Sequence, residues 1–310
     1  MFSIKYFAVA FLDMFDQLAD EIAAKKPTRV LVQLPEGLKR HGAALAAALK
    51  EHGVECVLSN DPCYGACDLK DEDARRLQCD LLVHVGHSKF YRDVPTVVPV
   101  MYFPWFVPAD LQGVDITQLT EHRIGLLTSI QHLTLLPELK ERLEQHGKEV
   151  MIGGQILGCW TANADKIASH VDAYLFVGSG VFHPLALSGK PVYVLDIERR
   201  ELQRLDARRF EAVRWGRIAR ARDARTFAVL VTSKKGQCEL LGRADEIKAL
   251  LEQHGRRAFV VIMDEITDAK LTTINADAFI NTACPRLADD VFSRPFINAD
   301  DLDHVLETSV

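Results

Sequence analysis

One phrase occurs three times in this chain: Leu49-Lys-Glu-His-Gly53, Leu143-Glu-Gln-His-Gly147 and Leu251-Glu-Gln-His-Gly255. Each closes a stretch of helical periodicity. The glycine stands where a helix end calls for a left-handed residue. Apolar, β-prone runs flank each helix, at 29–34, 123–128 and 226–232 before it and at 54–59, 149–153 and 257–263 after it. A third run opens with aspartate in every case (80–86, 172–178, 277–281), and a fourth follows in the first two units (97–102, 191–196). An internal repeat of strand, helix and strand constrains the fold more than any composition. Strands alternating with helices in this way form parallel sheets with right-handed crossovers.

The sequence therefore predicts an α/β protein of three similar small domains with parallel sheets flanked by helices, arranged as an internal repeat around a central crevice. The domains are expected over 26–110, 111–205 and 206–310, the last opening with an arginine-rich linker helix within 199–225. The bland reading of that linker is a solvated helix, and the sharper one is a docking surface for an acidic partner. A chain of 310 residues accommodates this plan. Residues 1–25 form an extra N-terminal element. Its apolar start could be a signal peptide, but Asp13 and Asp16 interrupt it and no small-residue cleavage site follows. An amphipathic helix over about 11–24 is expected instead, with Leu12, Phe15, Leu18, Ala19 and Ile22 on one face.

A formal charge of −6 argues against a general nucleic-acid binder, and no apolar run reaches the ~18 residues of a membrane span. Seven cysteines, an odd number, make a poor disulfide framework. A reducing, cytoplasmic setting is expected, with thiols as core residues or metal ligands.

Residues 60–68 read N-D-P-C-Y-G-A-C-D, in the loop where a strand hands over to a helix. That edge of an open α/β sheet is where ligands bind. Each repeat offers a cysteine near such an edge: Cys67, Cys159 in G-Q-I-L-G-C-W, and Cys284 in N-T-A-C-P-R. Three thiolates would suit a soft metal centre, and an iron–sulfur cluster held by three leaves one iron open. Cysteine is also among the most buried residue types, so the spacing alone does not choose between packing and ligation. Cys56 and Cys79, within or beside apolar runs, read as core; Cys238 is ambiguous.

The motifs P-E-G-L (35–38), D-P-C-Y-G-A-C-D, H-V-G-H-S (84–88), G-Q-I-L-G-C, S-K-K-G-Q (233–237) and T-A-C-P-R-L (282–287) together resemble the diphthamide biosynthesis family. They occur in order from about residue 29 to 290. The resemblance implies that Cys67, Cys159 and Cys284 hold a 4Fe-4S cluster, with Cys63 left to packing or a supporting role. It implies S-adenosylmethionine as co-substrate, cleaved between sulfur and the methionine γ-carbon to a 3-amino-3-carboxypropyl radical that adds to a histidine of translation elongation factor 2. The compact length is similar to that of the archaeal homodimeric form, and an electron donor of unknown identity is required. The compact C-x-x-x-C-x-x-C motif of conventional radical enzymes is absent from the sequence.

Within that resemblance, Gly178, Ser179, His183, Ser233, Gln237 and Arg286 are the expected cofactor contacts. Glycine permits close backbone approach, and arginine suits a carboxylate. His87 reads as a structural loop residue. Two rival readings are an enzyme like quinolinate synthase, also built from three α/β domains around a cluster, and a non-catalytic electron-carrying subunit.

Overall fold

The computed structural model describes the backbone of residues 4–237 and 241–307; Cys238 lies outside them. The described chain divides into two compact units. The first runs through Arg204 except for Gly158–Trp160 and Phe182–Ala186; the second consists of those two segments and the chain from Leu205 onward.

The first unit holds two sheets. Strands β1 (Arg29–Gln33), β2 (Glu55–Ser59), β3 (Leu81–Val85) and β4 (Val100–Phe103) line up in the order β2-β1-β3-β4, all parallel. Strands β5 (Arg123–Thr128), β6 (Glu149–Gln155), β7 (Ala173–Val177) and β8 (Val192–Asp196) repeat that order as β6-β5-β7-β8. A fifth strand, β9 (Glu201–Arg204), joins β8 antiparallel. The second unit repeats the plan once more: β10 (Thr226–Thr232), β11 (Arg257–Met263), β12 (Ala278–Asn281) and β13 (Phe296–Asn298) run in the order β11-β10-β12-β13.

The repeated phrase forms the same helix end three times. Gly53, Gly147 and Gly255 have φ of 75°, 77° and 73°. The next residue's N–H reaches back to the carbonyl of Leu49, Leu143 or Leu251, and each of those leucines is fully buried. Left-handed glycine plus an inward leucine is a helix stop anchored to the sheet, and it turns the chain into the next strand. The aspartates opening the third strands are a second repeated device. Asp80 accepts from the backbone N–H groups of Thr28 and Arg29, Asp277 from Arg225 and Thr226, and Asp172 from Arg123. Each fastens the start of its strand to the start of the neighbouring first strand.

Both faces of the first sheet are covered, as an all-parallel sheet requires. Val30, Val32, Val83 and Val85 pack under Leu45, Leu49 and the N-terminal helix, through Phe15, Leu18, Ala19 and Ile22. On the other face Leu31 and Leu82 meet Leu69, Ala74 and Cys79. The helix Ile4–Ala24 begins earlier than the sequence predicts; the side chain of Leu12 lies outside the described residues.

Three expectations need correction. β9 occupies residues expected as linker, because Leu202 is buried against the sheet although its neighbours are polar. β13 is a fourth strand in the last repeat, three residues long and invisible to periodicity. The arginine helix Ala207–Arg222 is more than a solvated face. Arg214 pairs with buried Asp301 at 2.5 Å, while Arg217, Arg220 and Arg222 donate to the carbonyls of Asp290, Ser293 and His304.

Candidate functional site

In the first unit the site is built at the C-terminal edge of β1, β2 and β3. Gln33, the last residue of β1, is fully buried yet polar. Its Nε2 donates to Asp68 O at 3.0 Å, and its Oε1 accepts from Lys70 N–H at 3.0 Å. One carboxamide thus holds the loop carrying Cys67 by two of its backbone groups. Lys39 Nζ donates to Asn60 O, and Lys70 lies 3.5 Å from Asp61, fixing the loop's other end. Cys67 is half-buried and Cys63 buried.

Sequence reasoning left Cys63 to packing or a supporting role and took His87 as loop, and did not join them. The structure does. Cys63 Sγ lies 4.0 Å from His84 Nδ1, and His84 Nε2 lies 3.1 Å from His87 Nδ1. The available signal was H-V-G-H at a strand end, whose two imidazoles Gly86 turns toward each other with a φ of 91°. Gln33, a polar residue closing the apolar run V-L-V-Q, could have been noticed in the same way.

In the second sheet Gly178 is buried after β7, and Ser179 is exposed beside it. Gln155 at the end of β6 accepts from Ser88 Oγ at 3.0 Å, tying the G-Q-I-L segment to the H-V-G-H-S motif.

The second unit holds the other two predicted cysteines. Cys284 ends the loop after β12 and caps the short 3-10 helix Pro285–Asp289. Its carbonyl accepts from Asn281 Nδ2 at 2.8 Å, and Asn281 Oδ1 accepts from Ala283 N–H. Asn298, at the end of β13, bridges to Asn281 and donates to Pro285 O. The segment with exposed Cys159 packs into the same unit. Gly158 there is so close to Arg286 that a Cβ would lie 2.7 Å from Arg286 Cγ and 3.0 Å from Phe182 Cε1. A side chain there would require a neighbour to shift, and the L-G-C and A-C-P-R motifs meet at that contact.

Arg286 pairs with Asp289 at 3.0 Å through Nη1, whereas its buried Nε has no hydrogen-bond partner among the described residues. Arg286, Arg217 and Asp289 line a cavity of about 290 Å³. Burial raises the Asp289 carboxyl despite both arginines, and burial lowers Arg217. His183 stands edge-on to Phe182 at 5.0 Å. Ser233 Oγ donates to Asp264 at 3.1 Å, and the Gln237 N–H closes a turn onto Lys234 O. Sequence reasoning missed buried Lys234, whose Nζ lies 2.5 Å from Glu265.

The core reading of Cys56 has a physical counterpart: burial, with Cys79 beside it, pushes its thiol up to about 11, which disfavours thiolate. Cys56 lies within β2, whereas the three dispersed cysteines lie on loops beyond strand ends; Cys67 and Cys284 are partly buried like Cys56, and Cys159 is exposed. In the first unit Cys67 lies on the loop that Gln33 holds; in the second, Cys159 and Cys284 lie on segments that meet where Gly158 touches Arg286, whose Nε has no hydrogen-bond partner among the described residues.

Residues 34–310 match the family of diphthamide synthesis proteins. The 2-(3-amino-3-carboxypropyl)histidine synthase of Pyrococcus horikoshii is 38% identical over 279 residues, spanning 84% of this chain and 80% of that protein. Subunit 1 of the synthase from Schizosaccharomyces pombe is 29% identical over 297 residues, spanning 87% of this chain and 67% of the subunit. Two crystal structures of Dph2 from Pyrococcus horikoshii, one with a 4Fe-4S cluster, each superpose with a TM-score of 0.85. Their identities are 34% and 35%, covering 96% and 94% of this chain and 91% and 90% of theirs.

Proposed function

The chain belongs to the diphthamide synthesis family, and from that membership we propose that it transfers a 3-amino-3-carboxypropyl group from S-adenosylmethionine to a histidine of translation elongation factor 2. Cys67, Cys159 and Cys284 would hold a 4Fe-4S cluster, as the cluster-containing relative makes reasonable. When bound, such a cluster supplies an open iron site and the electron that cleaves the sulfonium. In the net reaction the bond from sulfur to the methionine γ-carbon breaks and a bond to the imidazole carbon between the nitrogens forms. Methylthioadenosine and one proton leave.

The chain's own residues bind and orient. The Gln33 and Asn281 carboxamides hold the loops of Cys67 and Cys284 in fixed positions. Arg286, with a buried donor unspent, is the group to receive the cofactor's carboxylate. Gln237 and Ser233 in the third repeat, and Gly178, Ser179 and His183 in the second, are proposed to complete the cofactor's surroundings. We place the reaction in the cytoplasm and in a homodimer, with an electron donor supplied from outside. Among the described residues no helix is long and apolar enough to cross a membrane.

The observation that carries this reading is the contact of Gly158 with Arg286, which brings the Cys159 motif against the Cys284 motif. The test is anaerobic reconstitution with iron and sulfide, reduction by dithionite, and chromatography of the products formed with S-adenosylmethionine and elongation factor 2. Methylthioadenosine and a modified factor are expected. 5′-Deoxyadenosine as the main product, or an unmodified factor, overturns the reading.

A further inference from the structure

The edge of the first sheet carries a second set of metal-binding groups, which the proposed transfer does not use. Cys63, His84 and His87 each offer one donor atom, and the three atoms lie within 4.8 Å of one another. They come from two stretches: Cys63 from the loop after β2, and both histidines from the end of β3. His84 is fully buried, Cys63 is 5% exposed, and His87 is half-buried. Gln33 Oε1 stands 3.4 Å from His84 Nδ1, so the carboxamide that holds the Cys67 loop also touches this group. Tyr102 presses on the His84 ring from the side at 5.7 Å.

Two neutral imidazoles and a thiol are the ligand set of a borderline-soft divalent cation. Burial keeps both imidazoles neutral. The His84 pKa falls to about 3, with neighbouring His87 adding to the effect, and that of His87 falls to about 4.

We propose that Cys63, His84 and His87 bind one divalent cation of the zinc type, which pins the loop carrying Cys67 to the end of β3. Bonds of about 2.0–2.3 Å in a tetrahedron set donor atoms roughly 3.3–3.7 Å apart, so closure needs only about 1 Å of inward movement. Binding releases the thiol proton of Cys63. With three protein ligands the fourth position takes water. The site is separate from the three cysteines assigned to the cluster, and it can be present or absent whatever the transfer chemistry proves to be.

The probe is cobalt(II), added anaerobically to the full chain carrying Cys67→Ala, Cys159→Ala and Cys284→Ala, so that no cluster thiolate competes. One cobalt per chain with a thiolate charge-transfer band and tetrahedral visible bands is expected. Adding Cys63→Ser should abolish the charge-transfer band, and adding His87→Ala should weaken binding by at least about 10-fold. A second measurement covers the case in which the triple variant does not fold. Elemental analysis of the cluster-loaded parent, after exposure to one equivalent of zinc and desalting, should give one zinc per chain that His87→Ala removes without loss of iron. No thiolate band in a folded triple variant, a band indifferent to Cys63→Ser, or no retained zinc in the loaded parent overturns the proposal.

Discussion

In the loop that carries Cys67, a buried carboxamide from the neighbouring strand does the holding: Gln33 accepts from Lys70 N–H and donates to Asp68 O. In the loop that carries Cys284, Asn281 does the same from its own strand end, donating to Cys284 O and accepting from Ala283 N–H. The segment that carries Cys159 is held differently. Its thiol is exposed, and its neighbour Gly158 has no side chain at all, which lets it lie on Arg286. The strand ends also differ, for Cys67 and Cys159 follow the second strand of their repeats, β2 and β6, whereas Cys284 follows the third, β12. The repeat supplies like edges; the chemistry is placed on each edge by its own local device.

The largest effect expected is loss of the cluster. Cys67→Ala, Cys159→Ala and Cys284→Ala should each lose most of the brown chromophore and the transfer activity, measured by iron and sulfide content and product formation. Cys56→Ala should retain both, because burial holds that thiol protonated. Cys63→Ser should also retain the iron, since three thiolates leave room for the co-substrate. Full cluster content in Cys159→Ala would break the grouping of the exposed cysteine with the clamped pair.

Next comes the glycine contact. A methyl group at Gly158 would stand 2.7 Å from Arg286 Cγ, so either the L-G-C segment or the arginine must move. Misplacement by about 1 Å can cost ~10²-fold in rate, and Gly158→Ala should lower methylthioadenosine formation by about that factor. Gly216→Ala, with nothing within 4 Å, serves as the control. Equal turnover in the two variants would mean that Arg286 is not fixed by this contact.

The amide clamps should show in stability before activity. Gln33→Ala removes the buried side chain's hydrogen bonds to Asp68 O and Lys70 N–H, at a cost of about 1–3 kcal/mol. Asn281→Ala should cost a comparable amount, since it too loses two backbone partners and the bridge to Asn298. Denaturant unfolding followed by circular dichroism measures both. A loss confined to one of them would show that the two loops are not held alike.

These clamps mark the limit of what the sequence could say. The helix stops were legible because Leu49, Leu143 and Leu251 announce a buried face and the glycines after them announce a backbone turn, both local signals. The strands were legible because parallel strands buried on both faces read as runs of Val, Ile and Leu. Gln33, Asn281 and Asn298 were not, since a buried amide is chosen by the loop it must satisfy, and that loop lies up to 37 residues away. The joining of Cys63 to His84 depends on β2 and β3 flanking β1, a topological fact. The short β9 and β13 were missed because a strand of three or four residues borrows its stability from an existing edge. Among the expected site residues, Arg286 keeps a buried Nε with no hydrogen-bond partner among the described residues, while Ser233 is engaged with Asp264.

The smallest expected effect tests whether the repeats are held alike at their other edge. Asp80, Asp172 and Asp277 all have carboxyls lowered below the usual value, but the leading causes differ. Backbone N–H groups of Thr28 and Thr226 dominate for Asp80 and Asp277, whereas the Arg123 guanidinium dominates for Asp172. A carboxyl lowered on folding stabilises the fold above its unfolded value of about 3.9, and the contribution is lost as pH falls through the lower folded value. Each Asp→Asn variant should therefore lose stability at neutral pH and converge on the parent in acid. Salt separates them. The Arg123–Asp172 pair is exposed, so raising ionic strength should shrink the effect of Asp172→Asn, while Asp80→Asn and Asp277→Asn change less because their partners are fixed backbone dipoles at hydrogen-bond distance. Acid unfolding at low and high salt makes the comparison. The same salt response in all three variants would show that Arg123 contributes orientation and not charge, and that the three edges are one device after all.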